Sequence, residues 1–198
     1  MKILLAEDQS MVRGALAALL SMENGFEITQ AEDGDRAWLL MKQNSYDILL
    51  TDIEMPGRSG LELAQWVLQQ KLQTKTIIIT TFGRAGYIRR AIDMGVAGFL
   101  LKDAPSEQLI QAIYKVMDGK RVIDGELAMM ALGESDPLND KERRALRLAA
   151  EGKTTAEIAT VLCLSEGTVR NYLSEAIAKL HAVNRVDAAR IARQKGWI

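Results

Sequence analysis

Between residues 1 and 118 the chain alternates five times between a short apolar run and an amphipathic segment, an order that few folds accept. The runs cover residues 3–6, 26–31, 47–51, 76–80 and 98–101. The segments between and after them (11–20, 35–43, 61–70, 87–94 and 106–117) repeat apolar residues at helical spacing. Strands alternating with helices imply a parallel sheet covered on both faces, and the unbroken Ile77-Ile78-Ile79 fits a strand buried on both sides. The connections are short enough for right-handed crossovers. The expectation is a doubly wound α/β domain with a five-stranded parallel sheet. In its first helix Met11, Ala15, Leu16, Leu19 and Leu20 form the apolar stripe, with Ser10 as the cap; Ser106 caps the last helix, where Leu109 is the first core residue.

Polar groups gather where these strands end. Glu7 and Asp8 follow the first strand, Asp52 the third, Thr80 closes the fourth and Lys102 follows the fifth. Open α/β sheets bind ligands beyond the carboxyl ends of their strands, and the first and third strands are neighbours in a doubly wound order. Three converging carboxylates repel one another unless a cation sits among them, and hard oxygen ligands suit Mg2+. A carboxylate beside such an ion can act as nucleophile toward phosphorus. The Thr80 hydroxyl and the Lys102 ammonium could then meet phosphoryl oxygens. Singly, each residue has an ordinary reading: a helix-start acid pair, a β-prone threonine, a solvated lysine. Only their shared placement at one end of the sheet favours a site. From the residues alone, a Mg2+-dependent phosphatase or phosphotransferase remains open, with Glu54 as its base.

With these residues in view, the first 118 positions resemble the flavodoxin-like receiver domain of two-component response regulators. The resemblance rests on Glu7-Asp8, on Asp52-Ile53-Glu54-Met55-Pro56-Gly57, on Thr80-Thr81, and on Gly98-Phe99-Leu100-Leu101-Lys102-Asp103. It implies that Asp52 is the phosphoacceptor, charged by a sensor histidine kinase, and that Mg2+ is held by Glu7, Asp8, Asp52 and the backbone carbonyl of Glu54. It further implies that Thr80 and Phe99 form the switch pair and that Lys102 contacts the phosphate. Glu54 and Phe82 fall at positions that tune phosphate lifetime in the family, where both would hinder an attacking water.

The alternation stops after Gly119. Residues 119–136 read as a linker, with one short helix within 122–132 and a turn-rich stretch at 133–137. From Pro137 onward only helical spacing remains. Asn139 with Glu142 makes a capping pair for a helix ending before Gly152, and residues 155–162 form a short helix. Ser165 caps a third helix over about 167–180, which buries Val169, Tyr172, Leu173, Ala176, Ile177 and Leu180 and shows Arg170, Asn171 and Ser174 on its other face. A last helix spans 185–194. Two helices joined by a tight turn suit DNA binding, although spacing alone leaves a protein-contact bundle equally open. Residues 136–198 carry 11 Lys/Arg against 8 Asp/Glu, and residues 1–135 carry 14 against 18. A basic end on an acidic chain permits a nucleic-acid partner without requiring one.

Residues 137–198 resemble the all-α helix-turn-helix domain of LuxR/NarL-type regulators through Ala150-Glu151-Gly152-Lys153-Thr154-Thr155, Leu164-Ser165-Glu166-Gly167-Thr168-Val169-Arg170 and Lys179-Leu180. The resemblance implies that Arg170, Asn171 and Ser174 face bases or the adjacent backbone of double-stranded promoter DNA, with Thr155, Thr168 and Lys179 near phosphates. Asn171-Tyr172 departs from the family, where a histidine often stands second. The segment 170–174 and the residues after Glu7 are most similar to regulators of fatty-acid desaturation and membrane fluidity. The expected protein is a transcription regulator of the NarL/FixJ kind, a homodimer when phosphorylated, and no enzyme beyond its own phosphorylation and dephosphorylation. Ala188, Ile191 and Ala192 are the candidate contacts between DNA-binding domains.

The remaining features are bland. A hydrophobic content of 48% with 26% charged residues suits a globular protein. Neither a membrane span nor a signal peptide is expected, and one cysteine fits a reducing cytoplasm. Cys163 reads as a small buried hydrophobe, His181 as a turn residue, and the tryptophans and Met129-Met130 as gap fillers.

Overall fold

The computed structural model describes residues 1–81, 84–130 and 136–198, without the side chains of Glu126 and Met130. Phe82 and the 131–135 part of the expected linker, including the end of its expected helix, lie outside the described residues. The chain forms two compact units, the first of residues 1–81 and 87–130 and the second of residues 136–198 with 84–86.

In the first unit, β1 (Lys2–Ala6), β2 (Glu27–Ala31), β3 (Ile48–Thr51), β4 (Lys75–Thr80) and β5 (Gly98–Leu101) alternate with α1 (Ser10–Ser21), α2 (Gly34–Gln43), α3 (Gly60–Gln69), α4 (Ala85–Asp93) and α5 (Ser106–Met117). The strand order is β2-β1-β3-β4-β5, all parallel, as alternation demands. A sixth strand, β6 (Val122–Ile123), continues the sheet beyond β5, pairing Gly98 with Val122 and Phe99 with Ile123. The expected count of five is therefore one short. Two residues are too few to show a period of two, which is why the sequence alone marks β6 only as linker; the short helix expected there is α6 (Gly125–Met130).

Successive strand residues supply opposite faces. Ile3, Leu5, Ile48, Leu50, Ile77 and Ile79 pack with Leu20 of α1 and with Leu109, Ile113 and Val116 of α5. On the other face Leu4, Ala6 and Leu49 meet Ala37 and Met41 of α2 and Leu63 and Val67 of α3. Ile78 and Phe99 pack with Ile53, Leu61, Tyr87, Ile88 and Ala91. Burial on both faces is why β1, β3 and β4 are apolar along most of their length.

Several local expectations change. Ser10 and Ser106 are first helical residues; Gln9 and Pro105 occupy the cap positions, and neither makes a side-chain cap. Met11 is 85% exposed, and Ala17 takes the core position instead. The stripe lies about one residue away from where spacing alone set it.

The second unit is helical: α7 (Asp140–Ala150), α8 (Thr155–Leu162), α9 (Glu166–Lys179) and α10 (Arg185–Lys195). Asn139 and Glu142 form the expected capping box, and Ser165 accepts from the Thr168 N–H. Leu146, Ile158, Val169, Leu173, Ala176 and Trp197 make one core. Ala188 and Ala192 lie in that core at 0% exposure, so they cannot serve as contacts between domains; Ile191 is only partly buried. Cys163 is exposed rather than buried, because it holds the left-handed cap of α8 (φ 55°) and leaves the apolar face there. Among the described residues, no helix is long and apolar enough to cross a membrane.

Gly60 opens α3 hard against the loop that follows β3: a Cβ there would lie 1.9 Å from the Asp52 carbonyl oxygen. Backbone cannot yield as a flexible side chain can. Gly60→Ala is expected to lower the unfolding free energy by about 1–3 kcal/mol in urea titration; an unchanged midpoint would show that this loop gives way freely.

Candidate functional site

The strand order reverses at β1, whose neighbours are β2 and β3. The crevice beyond the carboxyl ends of β1 and β3 is thus the switch point of the sheet, where doubly wound folds bind ligands. Glu7, Asp8 and Asp52 stand there, each offering a carboxylate oxygen within 4.8 Å of the others. The Asp52 N–H donates to the Ala6 carbonyl at 2.9 Å, which ties the two strand ends together. Glu7 is 0% and Asp52 5% exposed, while Asp8 is the most open of the three.

Lys102 provides the compensating charge. Its Nζ lies 2.6 Å from Glu7 Oε2 and 2.9 Å from Asp52 Oδ2, donating a well-directed hydrogen bond to the latter. Asp52 Oδ1 accepts from the Ile53 N–H at 2.7 Å, and Glu7 Oε1 from the Gln9 N–H at 3.2 Å. Burial pushes both the Glu7 and the Asp52 carboxyl above the ordinary range, and the ammonium pulls back only part of the shift. Burial acts to lower the Lys102 pKa, but its bonds to Glu7 and Asp52 outweigh that, and the net shift is upward. When ionised, three carboxylates against one ammonium leave net negative charge in a closed place.

Such a site fits a small hard dication. The donors are all carboxylate oxygens, and Glu7 Oε2, buried, meets Lys102 without an aligned hydrogen bond. The Glu54 carbonyl belongs to the loop just beyond Asp52. Thr80 (5% exposed) closes β4, and Phe99 (0%) lies in β5 opposite Ile78. The Lys102 N–H donates to the Thr80 carbonyl at 2.8 Å, joining the two strand ends that carry these groups.

Two partners of this pocket were not evident from the sequence. Arg13 on α1 donates to the carbonyl oxygens of Glu7 (2.6 Å) and Asp8 (3.3 Å), which fixes the acidic loop. The Tyr87 hydroxyl on α4 donates to Glu54 Oε1 at 2.9 Å. Neither an arginine six residues on nor a tyrosine inside an amphipathic helix carries a motif; only coordinates reveal them.

In the second unit, Arg170, Asn171 and Ser174 share the exposed face of α9, while Val169, Leu173 and Ala176 hold its other side in the core. Arg170 also pairs with Glu166 at 3.2 Å on that surface. Thr155 begins α8, after the Thr154 cap, and the Thr168 hydroxyl lies 2.9 Å from that of Ser165. Lys179 sits apart from the three, at the end of α9. Its Nζ meets both carboxylate oxygens of the buried Glu142 at 2.8 Å, a partner not expected from the sequence.

A doubly wound sheet with this acid–lysine pocket, followed in the chain by a helix-turn-helix unit, defines a phosphoreceiver coupled to a DNA-binding module. Known families agree: residues 3–114 match the response regulator receiver domain, and residues 136–192 match the bacterial regulatory proteins of the luxR family. The chain belongs to the response regulators that join these two domains. It is 46% identical to the uncharacterized transcriptional regulatory protein YvfU of Bacillus subtilis strain 168, over 100% of this chain and 99% of that one. It is 45% identical to the transcriptional regulatory protein DesR of the same strain, over 98% of each. The crystal structure of ChrA, a response regulator of a heme-sensing two-component system, matches with a TM-score of 0.57 at 29% identity, covering 100% of this chain and 98% of that one. RcsB of Salmonella enterica serovar Typhimurium, bound to promoter rprA with BeF3-, shares the fold with a TM-score of 0.73 at 21% identity over 96% and 97% of the chains.

Because folding raises the Asp52 pKa, the ionised carboxylate is disfavoured in the native state, and removing its charge relieves the fold at neutral pH. Asp52→Asn is expected to raise stability on the order of 1 kcal/mol in EDTA. Mg2+ at a hundredfold excess over its dissociation constant should stabilise the native chain by about 2.7 kcal/mol and the variant much less. Thermal unfolding with and without Mg2+ reads both effects; a native chain indifferent to Mg2+ would rule out the metal site.

Proposed function

We propose that this chain is a cytoplasmic transcription factor switched by phosphorylation of Asp52. The observation that carries the reading is the convergence of Glu7, Asp8, Asp52 and Lys102 at the β1/β3 switch point, in a chain that also presents Arg170, Asn171 and Ser174 on an exposed helix. YvfU and DesR, both called transcriptional regulatory proteins, support the same output. In this reading residues 1–118 are the receiver, 119–136 the linker and 137–198 the DNA-binding domain.

The phosphoryl donor is a phosphohistidine of a sensor kinase. An Asp52 carboxylate oxygen attacks phosphorus, and the bond to the donor nitrogen breaks, leaving an acyl phosphate. Glu7, Asp8, Asp52 and the Glu54 carbonyl hold Mg2+, which supplies charge neutralisation for the phosphoryl oxygens. Lys102, already 2.9 Å from Asp52, is placed to pair with one of those oxygens, and the Thr80 hydroxyl with another. The switch pair Thr80 and Phe99 then adjusts, and the altered receiver surface favours a homodimer whose two helix-turn-helix units bind adjacent half-sites. Arg170, Asn171 and Ser174 read or approach bases, while Thr155, Thr168 and Lys179 grip the backbone.

Acetyl phosphate with Mg2+ should add the mass of one phosphoryl group to the native chain and none to Asp52→Ala, and should move only the native chain toward a dimer in gel filtration. No mass gain in the native chain ends this reading, and steady phosphate release from many esters would favour an enzyme instead. For DNA, Arg170→Ala should cost about 1–3 kcal/mol at the footprinted operator and relax base preference there. A uniform loss on every sequence would move Arg170 to the backbone contacts.

A further inference from the structure

Arg13 lies in the first turn of α1 and reaches back over the loop that carries Glu7 and Asp8. One nitrogen of its guanidinium, Nη1, donates to two consecutive carbonyl oxygens of that loop, the Glu7 oxygen at 2.6 Å and the Asp8 oxygen at 3.3 Å. The loop is also held at its start, where the Glu7 N–H donates to the Ala31 carbonyl at the end of β2 (3.1 Å). The backbone of Arg13 is anchored in turn, since its own N–H donates to the Gln9 carbonyl at 2.9 Å.

Peptide units are planar, so a held carbonyl also fixes the N–H that follows it. Arg13 grips the oxygen of the Asp8–Gln9 peptide, and the N–H of that same peptide donates to Glu7 Oε1 at 3.2 Å. The Glu7–Asp8 peptide is gripped by its oxygen too. The Asp8 Cα stands between these two planes. With both planes held, its φ and ψ are held, and so is the direction in which its side chain leaves the backbone. Arg13 thus acts on two carboxylates through the main chain, aiming Glu7 by an N–H and Asp8 by its Cα–Cβ bond.

We propose that Arg13 is a positioning residue that makes the acidic pocket prefer Mg2+ to Ca2+. The role presupposes that Glu7, Asp8 and Asp52 hold a dication, as proposed above. Mg2+ demands a near-octahedral shell of oxygens at about 2.0–2.1 Å, whereas Ca2+ takes roughly six to eight oxygens at about 2.3–2.6 Å and tolerates irregular, bidentate carboxylates. A loop with fixed peptide planes suits the first ion and hinders the second, because its carboxylates cannot swing to offer extra oxygens at longer range. Loss of the guanidinium leaves the same three carboxylates on a looser loop. It also removes one positive charge near the pocket, which strengthens the binding of any dication. Both ions carry the same charge, so this second effect cancels in the ratio of their dissociation constants. The ratio reads geometry alone.

The test compares the full native chain with Arg13→Gln and Arg13→Lys. The rise of the thermal midpoint over a titration with Mg2+ or with Ca2+ gives both dissociation constants, and unfolding in EDTA shows that each variant is folded. The native chain is expected to bind Mg2+ more tightly. Arg13→Gln should lower the ratio of the Ca2+ to the Mg2+ dissociation constant about tenfold, the scale on which groups behind metal ligands act. Arg13→Lys keeps the charge but lacks the planar head that meets both carbonyls, so it should lose most of the preference as well; it decides the matter alone if Arg13→Gln does not fold. A native ratio in either folded variant overturns the proposal, even where both ions bind more weakly, and so does a native chain that binds the two ions alike. A native midpoint that responds to neither ion sinks the metal site itself, whereas a native preference for Mg2+ that the variants keep sinks only the role of Arg13.

Discussion

Everything in the receiver unit is arranged around the burial of like charges beside one lysine. Carboxylates at 0% and 5% exposure are costly to ionise, and Lys102, which reaches both Glu7 and Asp52, offsets part of that cost. That compensation is incomplete, since burial still raises both carboxyls. The strain is local and electrostatic, and it is relieved by any cation that enters. A pocket selected only for stability would replace these groups with apolar ones of similar size. Their retention at the switch point of the sheet is itself an argument for chemistry there.

The sheet makes this arrangement possible. Strands buried on both faces are apolar along most of their length, so charged groups gather where the strands end. Glu7, Asp52, Thr80 and Lys102 all obey that rule, and for that reason their convergence was legible before any coordinates. The parallel sheet and the adjacency of its first and third strands were legible on the same physical grounds, since alternating strands and helices leave few topologies. What escaped was shorter than a period or depended on distance. β6 has two residues, Met11 and Ala17 differ by a rotation of the helix, and Tyr87 meets Glu54 across 33 positions.

The helical unit was legible in its caps and less so in its surfaces. Asn139 with Glu142 and Ser165 with Thr168 carry their chemistry in adjacent turns, so their spacing announces them. Cys163, Ala188 and Ala192 do not. A small residue fits a core, a left-handed cap or an interface equally well by composition, and only packing decides among them. Glu142 shows how much one side chain can do: it closes the capping box of α7 and holds Lys179 at the far end of α9. The ionic contact ties the last turn of the exposed helix to the first turn of its neighbour. Any role of Lys179 at a phosphate therefore competes with a buried carboxylate, whereas Arg170 gives up only a surface pair to Glu166, a contact of small worth.

The same competition explains why a phosphoryl group could act as a switch here. In the resting protein Lys102 serves two carboxylates and its own backbone is tied to Thr80. On the proposed reading, phosphorylation turns one of those carboxylates into an acyl phosphate and places a more highly charged acceptor further out along the crevice. Lys102 must then divide its bonds differently, and the ends of β4 and β5 carry the consequence because they carry Thr80, Phe99 and Lys102 together. The apolar cluster behind them is tightly packed, and a packed cluster exchanges one arrangement for another rather than deforming gradually. Tyr87 lies in that cluster with its hydroxyl on Glu54 Oε1, so α4 is tied to the loop that follows Asp52.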